Sequence, residues 1–261
     1  MPVKSINKSE SDEVFAEIFS GNYSVRVADT QKEIESALRL RYEVFNLEMA
    51  GEESSENSLG IESDDFDFVC KHLIVVERKT NKTVGTYRLN TLETAGTVSS
   101  FYAYGEFSIE DLSPEILAQA VEIGRAAIAR EHRNTKVLYL LWKGLSAFLL
   151  ATKKRYLFGC CSVFSTDSEI GLNAYEQLER DNLIHPNFRV FPRETKACPK
   201  RKPKKVNLPV ELPMLFKLYL KIGARVCGRP IIDFDFGTID FFVIFDFHEL
   251  EGKYRQMFGS I

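Results

Sequence analysis

The sequence predicts an α/β fold in which helices cover both faces of a mixed sheet, giving three layers. Strand and helix patterns alternate through the middle of the chain, and hairpins precede them. The chain has 261 residues, 44% of them hydrophobic and 27% charged, which is the composition of a globular protein with a substantial core. We expect a polar N-terminal extension over residues 1–20 and a single domain over residues 21–261.

The first elements are a strand and a capped helix. The segment YSVRVAD (23–29) alternates in hydropathy as a half-buried strand does. Thr30, followed three residues later by Glu33, is typical of a capping box, and the helix that it begins is expected to run to about Asn46. A loop rich in Glu, Ser and Gly then extends from about residue 50 to 66.

The centre of the chain alternates between strands and helices. HLIVVER and TVGTYRLN predict a hairpin joined near Thr80 to Lys82, and VEIGRAAI predicts another strand. VLYLLWKGLSAFLL is apolar nearly all round, which indicates a helix buried on most sides. The remaining elements are the strand YLFGCCSVF, the helix SEIGLNAYEQLER, a helix PMLFKLYLKIGARV, a strand pair around IIDFDFGTIDFFVIFDF, and a closing helix to about Phe258.

Composition excludes several classes of function. A formal charge of -3 and a pI near 5.9 give no general attraction to nucleic acid. Five cysteines without a CxxC pair and four scattered histidines indicate neither a disulfide framework nor a metal site. The first residues are polar where a signal peptide is apolar, and aspartates interrupt the apolar C-terminal stretch. We therefore expect a cytoplasmic protein that spans no membrane and needs no metal.

Two arginines occupy positions that should face the core. Arg41 shares a helical stripe with Phe45, and alternation along TVGTYRLN places Arg88 beside apolar neighbours. Each needs an anion, and Asp64 and Asp67, just before the HLIVVE strand, can supply that charge. The alternatives are a substrate role or a buried salt bridge for Arg41, and a solvated acidic turn for the aspartates.

The segment VEIGR carries the strongest indication of chemistry. Glu122 and Arg125 would face opposite sides of a regular strand, but Gly124 between them favours a bulge that brings both to one face. A bulge would also free a backbone N–H to polarise a carbonyl oxygen. Glu122 is a candidate general base. The alternative is that Glu122 only holds Arg125 or Arg41 in an ion pair.

Read in order, these charged residues resemble a known family pattern. Arg41 with Phe45, Asp64 with Asp67, Arg88, and Glu122 with Arg125 follow the order found in acyl-homoserine-lactone synthases. The chain is more similar still to bacterial amino-acid N-acyltransferases once called hemolysin-like, which include ornithine and glycine N-acyltransferases. The segments that carry this likeness are LRYEVFNLEM, DDFDFVCKHLIVVE, VGTYRL, EIGRAAIAREHRNTKVLYLLWKGLSAFLLATKKRYLFGCCSV and PMLFKLYLKIGARVCGRPIIDFDFGTIDFFVIFD.

The resemblance implies a GNAT-like, acetyltransferase-type fold in which the Glu122 strand and the YLFGCCSV strand splay apart to admit a pantetheine arm. Acetyltransferases that use coenzyme A have a Gly-rich turn after that first strand, but residues 130–136 (REHRNTK) contain no glycine. An acyl carrier protein is therefore the favoured donor over coenzyme A. The donor-binding residues implied are Gly124, Arg130, Arg133, Ser162 and Tyr175.

The implied activity is transfer of a long-chain, in some cases 3-hydroxylated, fatty acyl group from acyl carrier protein to the α-amine of an amino acid such as ornithine or glycine. Arg41, Phe45, Asp64, Asp67 and Arg88 would bind the acceptor, with Glu122 and Arg125 catalytic. The alternatives are an acyl-homoserine-lactone-type enzyme, a coenzyme A-dependent N-acetyltransferase, and a non-catalytic lipid-binding protein.

Two basic segments suggest partners for such an enzyme. The loop from Arg193 to Lys205 contains seven basic residues, which suits an acidic carrier protein as well as a solvated loop. Lys217, Lys221 and Arg225 recur every four residues on an expected helix. Such a helix is typical of packed surface helices and also of helices that rest on anionic membranes, so peripheral membrane contact is a further expectation.

Overall fold

The computed structural model describes residues 14–51, 59–198, 209–250 and 254. The strands are β1 (Ile18–Ser20), β2 (Tyr23–Val27), β3 (Lys71–Glu77), β4 (Lys82–Thr91), β5 (Ala120–Ile128), β6 (Tyr156–Val163), β7 (Arg225–Val226), β8 (Ile231–Asp233) and β9 (Thr238–Asp246). The helices are α1 (Gln31–Tyr42), α2 (Leu92–Ala95), α3 (Pro114–Ala118), α4 (Thr135–Ala151), α5 (Ser168–Arg180) and α6 (Met214–Ile222).

Hydrogen bonding joins the strands in the order β1-β2-β3-β4-β5-β6-β9-β7, and β8 pairs with β9. The pairing of β5 with β6 is parallel, whereas β1 with β2, β2 with β3 and β6 with β9 are antiparallel. The predicted mixed sheet with flanking helices is therefore confirmed.

The chain folds into two compact units. The first comprises residues up to Asp64, Lys71–Arg88 and Arg125–Thr152, and the second comprises Asp65–Cys70, Leu89–Gly124 and the residues from Lys153 onward. Strands β4 and β5 contribute residues to both units. The single domain expected over residues 21–261 stays a prediction.

In the first unit, helices α1 and α4 cover opposite faces of the strands. Successive side chains of a strand point to opposite faces, and in β3 Ile74 packs with Ala37 of α1. Its neighbour Leu73 faces α4, which lies so close that a Cβ added at Gly144 would be 2.9 Å from the Leu73 Cδ1 atom. The strands of this unit are therefore buried on both faces, as three layers require.

In the second unit, α5 and α6 cover one face of β6 and β9, and the segment from residue 98 to 112 covers the other. Phe216 of α6 lies 5.6 Å from Phe241 of β9, measured between ring centroids. On the opposite face, Phe101 contacts Phe158 of β6 edge to face at 5.3 Å. The aromatic residues of this unit thus fill its core on both sides of the sheet.

The capped start of α1 is confirmed, but its end differs from the expectation. The Thr30 hydroxyl accepts a hydrogen bond from the Glu33 N–H at 3.3 Å, and the Glu33 carboxylate reaches back to the Asp29 N–H at 3.1 Å. Instead of stopping near Asn46, the chain continues beyond α1 as a π-helix, Glu43–Ala50. Gly51 closes it with a left-handed φ of 68°, a conformation that glycine adopts without steric cost.

The predicted helix PMLFKLYLKIGARV is shorter than expected. It ends at Ile222 because Gly223 takes a φ of 120°, and Arg225 then lies in strand β7. The basic stripe of Lys217, Lys221 and Arg225 is therefore broken, since Arg225 is not on the helix. A second difference is β1 (Ile18–Ser20), which lies entirely within the polar extension expected over residues 1–20 and pairs with β2.

The end of the chain is only partly described. A 3₁₀ turn, Phe247–Glu249, follows β9. Of the predicted closing helix to Phe258, Tyr254 alone is described, and it is helical; residues 251–253 and 255–258 lie outside the described residues.

The parallel pairing of β5 with β6 is short. It joins Ala120 to Tyr156 and ends at Glu122 and Phe158, although β6 continues in register with β9 as far as Val163. This early end of the pairing fits the splaying that the family resemblance implies.

Gly159, the next residue of β6, cannot accept a side chain. A Cβ at this position would overlap the backbone carbonyl oxygen of Ile123, whereas a Cβ at Gly124 would meet no atom within 4 Å. We expect Gly159→Ala to lower the free energy of unfolding by about 1–3 kcal/mol or more, because backbone must move. Gly124→Ala is the matched control and should change it by less than about 0.5 kcal/mol. Urea unfolding of both variants measures this, and equal stabilities would contradict the close approach.

Candidate active site

Arg41 is buried as the helical stripe predicts. It lies on α1, its exposed fraction is 1%, and its Nε donates to the Glu62 carboxylate. A buried arginine requires such an anion, because an unpaired charge in the protein interior is costly. This arrangement fits the buried-salt-bridge alternative, and the substrate-binding role of Arg41 stays a prediction.

Glu62 and Asp64 link three arginines into one series of ion pairs. Arg125 donates to Glu62 Oε1 at 3.2 Å through Nε and to Asp64 Oδ2 at 3.1 Å through a terminal nitrogen. Asp64 Oδ1 also accepts from Arg88. We call Arg41, Glu62, Asp64, Arg88 and Arg125 the arginine cluster; all five belong to the first unit. The predicted pairing of Arg88 with an aspartate before the HLIVVE strand is confirmed.

Glu62 was missed by the sequence reasoning. It stands two residues before Asp64 in a segment without regular secondary structure, and both carboxylates accept from Arg125. That E-x-D spacing was a signal, but nothing local connects Glu62 with Arg41, 21 residues earlier, or with Arg125, 63 residues later.

Asp64 is the most exposed member of the arginine cluster. Its side chain is 26% exposed, against 14% at Glu62, 13% at Arg125, 6% at Arg88 and 1% at Arg41. Asp64 and Arg125 are therefore more accessible than Arg41, which is buried support. An arginine fork such as that of Arg125 has the chemistry to bind the carboxylate of an amino acid.

The irregular residue of β5 is Arg125 and not Gly124. Arg125 has a φ of 52°, which lies in the left-handed region, whereas Gly124 has no positive φ. The irregular backbone conformation therefore lies one residue after the glycine, and the bulge expected at Gly124 stays a prediction. A non-glycine residue held in this region costs on the order of 1 kcal/mol, and such strain clusters at functional sites. The two ion pairs of Arg125 provide a reason for the conformation to persist.

Phe45 and Asp67 were expected near the acceptor. Phe45 lies on the π-helix and packs, half-buried, against a small cluster that contains Leu40 and Ala127. Asp67 lies half-buried in the 3₁₀ turn Asp65–Phe68 of the second unit. Packing explains Phe45 well, and substrate roles for both residues stay predictions.

Glu122 is buried and receives backbone hydrogen bonds. Its exposed fraction is 7%, and its two oxygens accept from the N–H groups of Tyr102, at 3.0 Å, and Ala103, at 2.8 Å. These donors begin the 3₁₀ turn Tyr102–Gly105, whose free N–H groups favour a negative charge. The carboxylate therefore has a positioning role that the sequence did not predict, in addition to its candidate role as a base.

The turn between β5 and α4, where coenzyme A-dependent acetyltransferases bind a pyrophosphate, is held in this chain by side-chain hydrogen bonds. Asn134 caps α4 by accepting from the N–H groups of Lys136 and Val137 at 3.0 and 3.1 Å. Arg133 forms a two-pronged pair with Glu48 and donates to the Ile128 carbonyl at 3.1 Å. Arg130 is exposed on the preceding 3₁₀ turn. Two N–H groups that could hold a pyrophosphate thus already have an acceptor.

Ser162 and Tyr175 lie in the second unit. Ser162 is half-buried in β6 opposite Asp240 of β9. Tyr175 on α5 packs against the apolar cluster between that helix and the sheet, and burial raises the pKa of its phenol. The guanidinium of Arg229 lies 5.8 Å from its ring centroid. Packing explains Tyr175, and donor contact by either residue stays a prediction.

The basic loop is described only at its start. Arg193 pairs with Glu110 at 2.7 and 2.8 Å, and Lys196 pairs with Glu106 at 2.6 Å. The side chains of Arg193 and Lys196 therefore already form ion pairs within the second unit. The other five, Lys200, Arg201, Lys202, Lys204 and Lys205, lie outside the described residues.

Three further observations bear on the class of protein. The five cysteines are all free thiols, and four of them are buried. No group of three or more histidine, cysteine or carboxylate side chains in the described part of the chain could hold a metal ion. Among the described helices, none is long and apolar enough to cross a membrane.

Comparison with known proteins finds a known domain type in part of the chain. Residues 40–143 match the model of the acetyltransferase (GNAT) domain. The chain contains a GNAT-type acyltransferase domain. The matched residues include the arginine cluster, Glu122 and the start of α4, so the matched segment contains every candidate site residue except Ser162 and Tyr175.

Curated relatives extend the likeness beyond this GNAT-type domain to most of the chain. An L-ornithine N(alpha)-acyltransferase of Brucella abortus is 29% identical over 92% of this chain and 90% of its own. One from Rhodobacter capsulatus is 28% identical, over 91% and 95% respectively. Among solved structures, a coenzyme A-dependent acyl-homoserine lactone synthase, MesI, has a TM-score of 0.49 at 13% identity, covering 91% of this chain and 96% of that chain.

Proposed function

We propose that this enzyme transfers a long-chain fatty acyl group, including 3-hydroxylated chains, from acyl carrier protein to the α-amine of ornithine. The product is an N-acyl amino acid, the single-chain precursor of an aminolipid. The observation that carries the proposal is the likeness to L-ornithine N(alpha)-acyltransferases over nine tenths of both chains. Addition of the second acyl chain of the aminolipid would require another enzyme. Release of an amphiphilic product is compatible with peripheral contact at the inner face of the membrane.

The chemistry starts from an acceptor amine that must lose a proton before it attacks a thioester. In this proposal Glu122 receives that proton, directly or through a water, and the amine nitrogen bonds to the thioester carbon. The C–S bond of the resulting tetrahedral adduct then breaks, the nitrogen gives up its second proton as the amide forms, and the departing thiolate takes up one proton; the other is released to solvent. Arg88 and Arg125, which share Asp64, supply the fork geometry that suits the acceptor's carboxylate.

The choice of donor rests on the turn between β5 and α4. A pyrophosphate needs several free N–H groups at a helix N-terminus. Here the turn contains no glycine, and Asn134 takes two of those groups. A carrier-protein donor presents one phosphate in place of the pyrophosphate, so this capped turn supports an acyl carrier protein over coenzyme A.

The test is an acyl-transfer assay with a matched pair of donors. The same 3-hydroxyacyl chain is supplied on acyl carrier protein and on coenzyme A, together with ornithine, glycine or homoserine, and products are identified by mass spectrometry. We expect N-acylornithine, formed at least about tenfold faster from the carrier-protein donor, which corresponds to about 1.4 kcal/mol. Preference for glycine or for coenzyme A would contradict the proposed acceptor or donor, and no acylation of any amine would favour the lipid-binding alternative.

A further inference from the structure

We propose that a buried acidic cluster in the second unit binds the side-chain ammonium group of the acceptor and so selects diamino acids. The cluster consists of Glu106, Asp233 and Asp240, and we call it the acid pocket. This inference rests on the proposed function, because it names what distinguishes ornithine from other amino acids at the same enzyme.

The three carboxylates converge on one face of the sheet. Asp240 of β9 lies opposite Ser162 of β6, so it shares a face with Cys160, two residues earlier on β6. Burial raises the pKa of Cys160, and the negative charges of Asp240, Glu106 and Glu122 raise it further. On β8, Asp233 pairs with Thr238, two residues before Asp240 on β9, so Asp233 and Asp240 share that face. Glu106 is held beside β8 by Lys196, whose carbonyl oxygen accepts from the Ile232 N–H at 2.9 Å.

One carboxylate oxygen of Glu106 accepts no hydrogen bond from the described residues. Its exposed fraction is 4%, and its Oε1 accepts from Lys196 at 2.6 Å. Its Oε2 is buried, with no hydrogen-bond partner among the described residues. Burial raises the pKa of Glu106, and the charges of Asp233 and Asp240 add to this. A buried carboxylate oxygen without a donor is costly, so a cationic ligand here would be stabilising.

Asp233 connects the acid pocket with Glu122. Its Oδ2 accepts from the Tyr102 hydroxyl at 3.1 Å, and the backbone N–H of the same Tyr102 donates to Glu122. Asp233 itself is 3% exposed, and its Oδ1 accepts from the N–H groups of Asp235 and Phe236. One residue thus fixes both the candidate base and a member of the acid pocket.

Thr238 provides a second buried polar atom that forms no hydrogen bond with the described residues. Its hydroxyl is buried, at 5% exposure, and has no hydrogen-bond partner within the described ranges. It pairs with Asp233 in the β8–β9 register, beside the acid pocket. An ammonium group has three donors and no acceptor, so it can satisfy two carboxylates and a hydroxyl together. Ornithine carries such a group on a flexible propyl arm, which glycine lacks.

The test compares ornithine with norvaline, which has the same carbon chain without the second amine. In the wild-type enzyme we expect kcat/KM for ornithine to exceed that for norvaline by at least about tenfold, because only ornithine can donate charge-assisted hydrogen bonds to the acid pocket. Glu106→Gln should lower kcat/KM for ornithine by about 10- to 100-fold and leave that for norvaline within about twofold.

Glu110→Gln is the matched control. Glu110 lies on the same segment and also pairs with a basic residue, Arg193, but its side chain is 40% exposed. We expect this variant to keep the wild-type preference. Equal loss for both substrates in Glu106→Gln would assign Glu106 a merely structural role and overturn the inference.

The wild-type comparison keeps the inference testable if Glu106→Gln does not fold. Equal use of ornithine and norvaline by the wild-type enzyme would remove the acid pocket as a selectivity site and leave the N-acyltransferase function in place. Failure to acylate any amino acid would remove the proposed function and this inference with it.

Discussion

Replacing Glu122 with glutamine is expected to lower the turnover number of acyl transfer by about 10²- to 10⁴-fold, the usual contribution of a positioned general base. Glutamine has nearly the same shape but cannot accept a proton from the amine. The measurement is steady-state kinetics with a saturating acyl carrier protein donor and ornithine, with folding checked by circular dichroism.

Glu122→Gln needs a control variant, because the substitution also removes a hydrogen bond that Glu122 accepts from the backbone. One glutamine oxygen can accept from only one of the Tyr102 and Ala103 N–H groups, so the variant should also lose about 1–3 kcal/mol of stability. Glu131→Gln, at an exposed position on the next turn of the chain, should alter neither property. If the folded Glu122→Gln protein turned over at the wild-type rate, Glu122 would only hold the Tyr102–Gly105 turn.

Replacing Glu62 with alanine is expected to cause the largest loss of stability among the changes considered, about 3–5 kcal/mol. Removal of one partner from a buried ion pair takes a compensating anion away from the other. Glu62 accepts from both Arg41, which is 1% exposed, and Arg125. Urea unfolding measures the loss, which is a large part of the 5–15 kcal/mol typical of a folded protein.

Glu48→Ala is the matched control for this change. Glu48 also pairs with an arginine, Arg133, but the two side chains are 30% and 42% exposed, so water screens the pair. We expect a loss of about 1 kcal/mol or less. Equal losses for the two variants would mean that burial does not strengthen the arginine cluster.

Local patterns in the sequence determined several features correctly. The Thr30 cap, the hairpin of β3 and β4 and the inward position of Arg41 all depend on neighbours within a few residues, where the helical and strand periods fix direction. Even the pairing of Arg88 with Asp64 could be anticipated, since the aspartate precedes the strand that neighbours β4. The fold class followed from the order of these elements.

Only the tertiary structure decided which charges meet. Glu62 reaches Arg125 across 63 residues of chain, and Glu122 accepts from a turn 19 to 20 residues earlier that carries no sequence signal. Arg125, and not the neighbouring Gly124, has the left-handed backbone conformation, and its side chain forms ion pairs with residues 61 and 63 positions earlier in the chain. Periodicity reports which face a side chain takes, but its partner depends on how distant segments pack.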